Sequence, residues 1–159
     1  MGAPPDEHFT RTQLRPGTVF EFGCSPGVFT ASLTDDHEVT GIDLYEPATT
    51  EGYRFIRGDI ADWQTAETFD NVIAVSSFEH VGIETVDFER QTVSMKRERE
   101  VADRLRMLVA PGGRLILTCP LGDDSTWLAM ASGGAPVRLA GHALEFGLSR
   151  VGGRGASHD

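Results

Sequence analysis

Short runs of β-forming residues recur along the chain, separated by polar or helical segments, and this alternation limits the fold more than any single motif. The runs are "TVFEFG" (18–23), "EVTGID" (38–43), "YRFIRG" (53–58), "NVIAVS" (71–76) and "GRLILTC" (113–119). Several are apolar enough to be buried on both faces, as parallel strands covered by helices are. Between them the pattern predicts a helix over 27–34, short turns near 45–51 and 61–68, and a longer helix over about 88–109. Strands alternating with helices build right-handed βαβ units. The expected fold is a doubly wound, mostly parallel α/β sheet of at least five strands.

In the long helix, Val101, Leu105, Leu108 and Val109 fall on one face, the spacing of a core stripe. Pro111-Gly112-Gly113 is expected to stop that helix and turn the chain into the fifth strand, since proline disfavours helix before it and glycine accepts positive φ. Beyond Cys119 the pattern weakens to one short helix near 125–131, no strand pair, and a Gly- and Ser-rich end predicted to be disordered. This gives an amino-terminal extension (1–16), a core (17–122) and a short carboxyl-terminal segment (123–159).

The 159 residues correspond to about one domain, and 14 Lys+Arg against 24 Asp+Glu give a formal net charge of −10. Such a surface repels phosphate backbones, so a small-molecule partner is expected and a nucleic acid is not. The basic cluster Lys96-Arg97-Glu98-Arg99 is interleaved with glutamate and reads as the solvated face of a helix. No apolar run approaches the ~18 residues that span a bilayer, and no basic-then-apolar leader opens the chain, so no membrane partner and a cytoplasmic location are expected. Cys24 and Cys119 read as buried, reduced thiols, and no histidine has metal-ligand spacing, so no metal is expected.

The first strand runs into "GCSPG", which spells the G-x-S-x-G of a hydrolase elbow with Ser25 as nucleophile. That chemistry needs the backbone N–H of the next residue in its oxyanion hole, and the next residue is Pro26. A cofactor cradle uses the same residues better. Gly23 lets a ligand approach the main chain, Pro26 suits a first helical turn, and Gly27 relieves crowding where the helix leaves the loop. The dinucleotide pattern G-x-G-x-x-G falls here on Gly23, Ser25 and Val28, which counts against a pyrophosphate, and no Gly-Lys-Ser/Thr follows for a P-loop. Asp43 ends the second run, where a carboxylate can accept from both ribose hydroxyls. Asp59, after the third run, is placed to meet an adenine amino group. Together with the glycine loop they describe a nucleoside site.

With these residues in view, the sequence resembles the class I S-adenosylmethionine-dependent methyltransferases. The resemblance is carried in order by "VFEFGCSPG", "VTGIDL", "FIRGDIADW", "FDNVIAVSSFEHVG" and "LRMLVAPGGRLILTCPLG". It implies a Rossmann-like fold, with S-adenosylmethionine as cofactor. Glu21 and the Gly23–Gly27 loop, Ser25 included, would hold the methionine end, Asp43 the ribose, and Asp59 with Ile60 the adenine. Ser76 and Ser77 would lie beneath the reactive centre, and the "SSFEHVG" form is similar to members acting on small molecules or sugars. Glu79 and His80 are the candidates for accepting the acceptor's proton; alternatively Glu79 orders its loop and His80 packs on adenine or the sheet edge. The family's last strands are expected to be shortened or missing, leaving a sheet that seeks cover in a homodimer or a partner chain. Two other readings stay open: a noncatalytic S-adenosylmethionine-binding or regulatory module, and a nicotinamide-dependent oxidoreductase.

Overall fold

The computed structural model describes residues 4–82, 95–121, 125–132, 137–138 and 148–150. Helix α1 (Pro5–Gln13) precedes strand β1 (Gly17–Phe22), then helix α2 (Val28–Ser32), β2 (His37–Asp43), β3 (Arg54–Arg57) and β4 (Phe69–Val75). A 3₁₀ turn (Phe78–His80), helix α3 (Met95–Met107) and β5 (Val109–Leu121) follow, then β6 (Ser125–Ser132), β7 (Val137–Arg138) and β8 (Leu148–Arg150). The sheet order is β3-β2-β1-β4-β5-β6-β8-β7. β1 to β5 are mutually parallel, and β6 returns antiparallel to β5. The doubly wound parallel sheet read from the sequence is therefore the core of the protein.

Side-chain alternation along each strand feeds two apolar layers. Phe20, Val72, Leu115 and Leu117 face the layer closed by Val101, Leu105 and Leu108 of α3. Val19, Val39, Ile73 and Ile116 face the other, which Leu33 fills and Phe9 and Phe29 cover. Val101, Leu105 and Leu108 keep 2%, 0% and 1% of their surface, so this stripe is core as its spacing predicts. Val109 instead belongs to β5, and residues 88–94 of the expected helix lie outside the described residues.

Three elements differ from the sequence reading. The Pro111-Gly112-Gly113 segment lies inside β5, where the register slips from Phe69↔Val109 to Asn71↔Arg114, so it forms a bulge and not a turn before the strand. The helix expected near 125–131 is strand β6, whose register runs from Arg114↔Ser132 to Leu121↔Ser125, and β6 pairs antiparallel with β8, so the segment expected to hold no strand pair extends the sheet beyond β5. The exposed edge of β5 offers a row of backbone donors and acceptors, and pairing with them outweighs the weak helical preference of that segment. The frayed end predicted for the last residues lies outside the described residues.

The third element is α1, which the sequence signals poorly because its apolar residues are few. Tertiary contacts hold it: Phe9 packs on the second layer, and the Arg11 guanidinium lies 5.7 Å from the Phe29 ring centroid and donates to the Ser32 carbonyl at 3.2 Å. A polar clasp then fixes the entry to β1. Buried Asn71 accepts from Arg15 N at 2.9 Å and donates to the carbonyls of Arg15 and Thr18 at 2.9 and 3.2 Å. Asp70 accepts from Thr18 N at 2.8 Å beside it, and these backbone hydrogen bonds hold its carboxyl below the usual range.

Candidate cofactor site

Strand order reverses between β1 and β4, and the crevice outside the carboxyl ends of such strands is where open α/β sheets bind ligands. A cavity of about 500 Å³ opens there, within the range of small-molecule sites. Gly23, Ser25, Asp43, Asp59, Ile60, Ser76, Ser77 and His80 all line it. These residues come from the carboxyl ends of four strands and the loops after them, which only the sheet brings together.

Each loop is shaped by local bonds. Gly23 has φ +74°, and a Cβ there would collide with the Ser77 side chain, so the loops after β1 and β4 touch only because residue 23 is glycine. Ser77 Oγ donates to the Phe22 carbonyl at 2.7 Å and closes the same contact. Asp43 accepts from Ser25 N on Oδ2 and from Tyr45 N on Oδ1, both at 2.9 Å. Each oxygen keeps the capacity for a further hydrogen bond, which is what a vicinal diol asks of a carboxylate on a cavity wall. Asp59 Oδ1 accepts from Ala61 N at 2.9 Å, and Oδ2 pairs with Arg97.

Ser76 has φ +44°, unusual for a side chain other than glycine, and is held there from two sides. Its N–H donates to the carbonyl and hydroxyl of Thr118, both at 3.0 Å, and its own hydroxyl donates to Asp6 Oδ2 at 2.8 Å. The amino-terminal helix thus reaches the floor of the cavity, a role that nothing in residues 1–16 signals by itself.

Three of the sequence candidates do not line the cavity. Glu21 shares its strand face with Val19, so alternation turns it toward the layer under α1 and α2. It is 3% exposed, its Oε2 has no hydrogen-bond partner, and burial pushes its carboxyl up to about 8. Gly27, at φ +89°, packs against the 47–53 loop, where a Cβ would meet the Thr49 carbonyl and the Tyr53 hydroxyl. Pro26 precedes α2 instead of occupying its first turn. Glu79 is half-buried, its Oε2 also lacks a partner, and burial raises its carboxyl. His80 follows it on the 3₁₀ turn, exposed to the cavity, with its N–H donating to the Ser77 carbonyl at 3.2 Å.

The structure adds residues that the sequence reading passed over. Leu44 and Tyr45, directly after Asp43, stand 56% and 73% exposed on the cavity wall; two large apolar residues after a strand-ending aspartate could have flagged them. Arg97 corrects the reading of its cluster: Lys96 is solvated, with 88% of its side chain exposed, but Arg97 turns inward to Asp59. Cys24 is buried and free, its thiol pushed up to about 12 by burial, which suits packing and not nucleophilic attack. Among the described residues no helix is long and apolar enough to cross a membrane.

The parallel order with its antiparallel β6, and the cavity at the switch point, define a Rossmann-like fold of the methyltransferase type. A family model described as "Methyltransferase domain" matches residues 20–117, and the chain belongs to that family. Solved structures agree on the fold. The N-methyltransferase NodS from Bradyrhizobium japonicum, in complex with S-adenosylhomocysteine, superimposes with a TM-score of 0.56 at 23% identity over 72% of this chain and 62% of its own. A 1,6-didemethyltoxoflavin-N1-methyltransferase from Burkholderia thailandensis gives 0.56 at 21% identity, over 80% of this chain and 56% of its own. An amino pentose methyltransferase from Micromonospora echinaspora gives 0.56 at 18% identity, over 79% of this chain and 59% of its own. The chain thus spans less than two thirds of the length of each. No functionally curated protein sequence matches the chain.

Proposed function

We propose that the chain binds S-adenosylmethionine in the carboxyl-edge cavity and transfers its methyl group to a small-molecule or sugar acceptor. The observation that carries this reading is the pair of aspartates, Asp43 and Asp59, ending or following adjacent strands on one cavity wall with acceptor capacity to spare. Asp43 suits the two ribose hydroxyls, and Asp59 with Ile60 suits the adenine edge. Leu44 and Tyr45 give the apolar wall against which a base stacks. The Gly23–Gly27 loop, Ser25 included, leaves the main chain open to the methionine end. Glu21 adds a buried carboxyl with a free oxygen beneath that loop, a group whose ionised form favours a nearby cation.

The cofactor would supply a methyl already made electrophilic by its sulfonium. What remains for the protein is alignment, exclusion of water and, for a hydroxyl or amine acceptor, removal of a proton. Ser76 and Ser77 form the floor, and Glu79 and His80 stand next in sequence as proton acceptors, with His80 on the cavity side. The net charge of −10 favours an uncharged or cationic small acceptor over a nucleic acid. Calorimetric titration with S-adenosylmethionine, S-adenosylhomocysteine and NAD tests the reading. Saturable binding of the two adenosyl ligands supports it, and binding of NAD alone overturns it.

A further inference from the structure

The ion pair between Arg97 and Asp59 spans 38 positions of sequence and joins α3 to the loop after β3 on the cavity wall. Stability does not account for it. The two side chains are 32% and 30% exposed, and a pair that open to solvent contributes only about 0.2–1 kcal/mol. Its geometry is more informative. Asp59 Oδ1 is held by Ala61 N at 2.9 Å and Oδ2 by the guanidinium, so both ends of the carboxylate have a partner and one orientation of its plane is favoured. The guanidinium is itself braced by Glu100 Oε2 at 3.4 Å, one turn further along α3. A carboxylate held this way keeps a lone pair on a defined bearing, and a defined bearing is what discriminates an amino group from a hydrogen or a carbonyl at the same place on a purine.

We infer that Arg97 is a positioning residue that sets the adenine selectivity of the site by fixing Asp59. The inference rests on the cofactor reading above and names a determinant that the motifs do not contain. Arg97 acts through Asp59, which accepts from the exocyclic amino group of the base. The opposite arrangement, in which Arg97 blocks the adenine position and has to be displaced, predicts an effect of opposite sign.

The test is calorimetry of S-adenosylhomocysteine and of its analogue lacking the exocyclic amino group, against the wild-type chain and Arg97→Met, Asp59→Asn, the double variant and Arg97→Lys. Thermal melts of each variant without ligand verify folding. Arg97→Met should weaken S-adenosylhomocysteine about tenfold, the loss of one charge-assisted hydrogen bond, and the analogue by less than about threefold. In the Asp59→Asn background the same change should add nothing, and Arg97→Lys should restore part of the loss. Equal weakening of both ligands, or tighter binding by Arg97→Met, overturns the inference while leaving the cofactor reading intact. Failure of the wild-type chain to bind S-adenosylhomocysteine overturns both. If Arg97→Met does not fold, full retention of discrimination by Arg97→Lys, whose point charge cannot reproduce the fork, overturns the inference, and a partial loss supports it.

Discussion

Replacing Glu21 by glutamine probes a buried and incompletely partnered carboxyl. The carboxyl is buried with one oxygen unpartnered, and desolvation pushes it from an ordinary 4.5 to about 8. In the unfolded chain it ionises in the ordinary range, whereas in the folded chain it keeps its proton until near pH 8. Well below pH 4.5 both states are protonated and the group contributes no pH-dependent term. As pH rises from there to about 8, only the unfolded state releases its proton, so stability falls by about 1.4 kcal/mol per pH unit before levelling. At pH 7 the ceiling is roughly 3 kcal/mol, reduced by whatever relaxation brings water to the carboxyl. Glutamine carries no titrating proton and removes this slope. Urea denaturation of wild type and Glu21→Gln at pH 5, 6, 7 and 8 should show a stability difference that moves steadily in favour of the variant as pH rises. The diagnostic is the slope, because the amide brings its own unsatisfied donor and shifts the absolute value at every pH. A difference that stays constant across this range would refute the argument. S-adenosylmethionine should bind the variant more weakly, and its binding to the wild type at neutral pH should release a proton, read as a heat that depends on the buffer's ionisation enthalpy.

Asn71→Ala removes three part-buried hydrogen bonds to the backbone of Arg15 and Thr18 at the entry of β1, so chemical denaturation should show a loss of about 2–4 kcal/mol with little change in cofactor affinity once folded. Asp43→Ala deletes the proposed ribose acceptor and the anchor of the Ser25 and Tyr45 amides together; S-adenosylhomocysteine affinity measured by calorimetry should fall at least about tenfold. His80→Ala should lower turnover by roughly 10² to 10⁴ and leave cofactor affinity nearly unchanged if His80 takes the acceptor's proton. Weakened cofactor binding with an unaltered pH profile would instead assign it to packing against the base.

The elements whose signal is local are legible in the residues alone. Buried parallel strands announce themselves by continuous apolar runs, and the residues at their carboxyl ends follow from where those runs stop. For that reason Gly23, Asp43, Asp59 and Ser76 could be expected at one edge of one sheet from the residues alone. The core stripe Val101, Leu105 and Leu108 was legible for the same reason, because helical period is a property of a dozen consecutive residues.

The remaining features depend on partners distant in the chain. Arg97 sits in a charge cluster that is indistinguishable from a solvated face until Asp59 is found opposite it. Asn71 is one polar residue in an apolar run until the Arg15 and Thr18 backbone closes around it. Helix α1 has few apolar residues and is held by Phe29, Ser32 and Ser76, while β6 takes its conformation from the open edge of β5. Glu21 belongs to the same class: strand alternation fixed its face, but that the face would be dry, and the carboxyl half unpartnered, followed from the packing of α1 and α2 over it. Local periodicity encodes which way a side chain points, whereas the free energy of a hydrogen bond or a buried charge depends on what the rest of the fold brings to meet it.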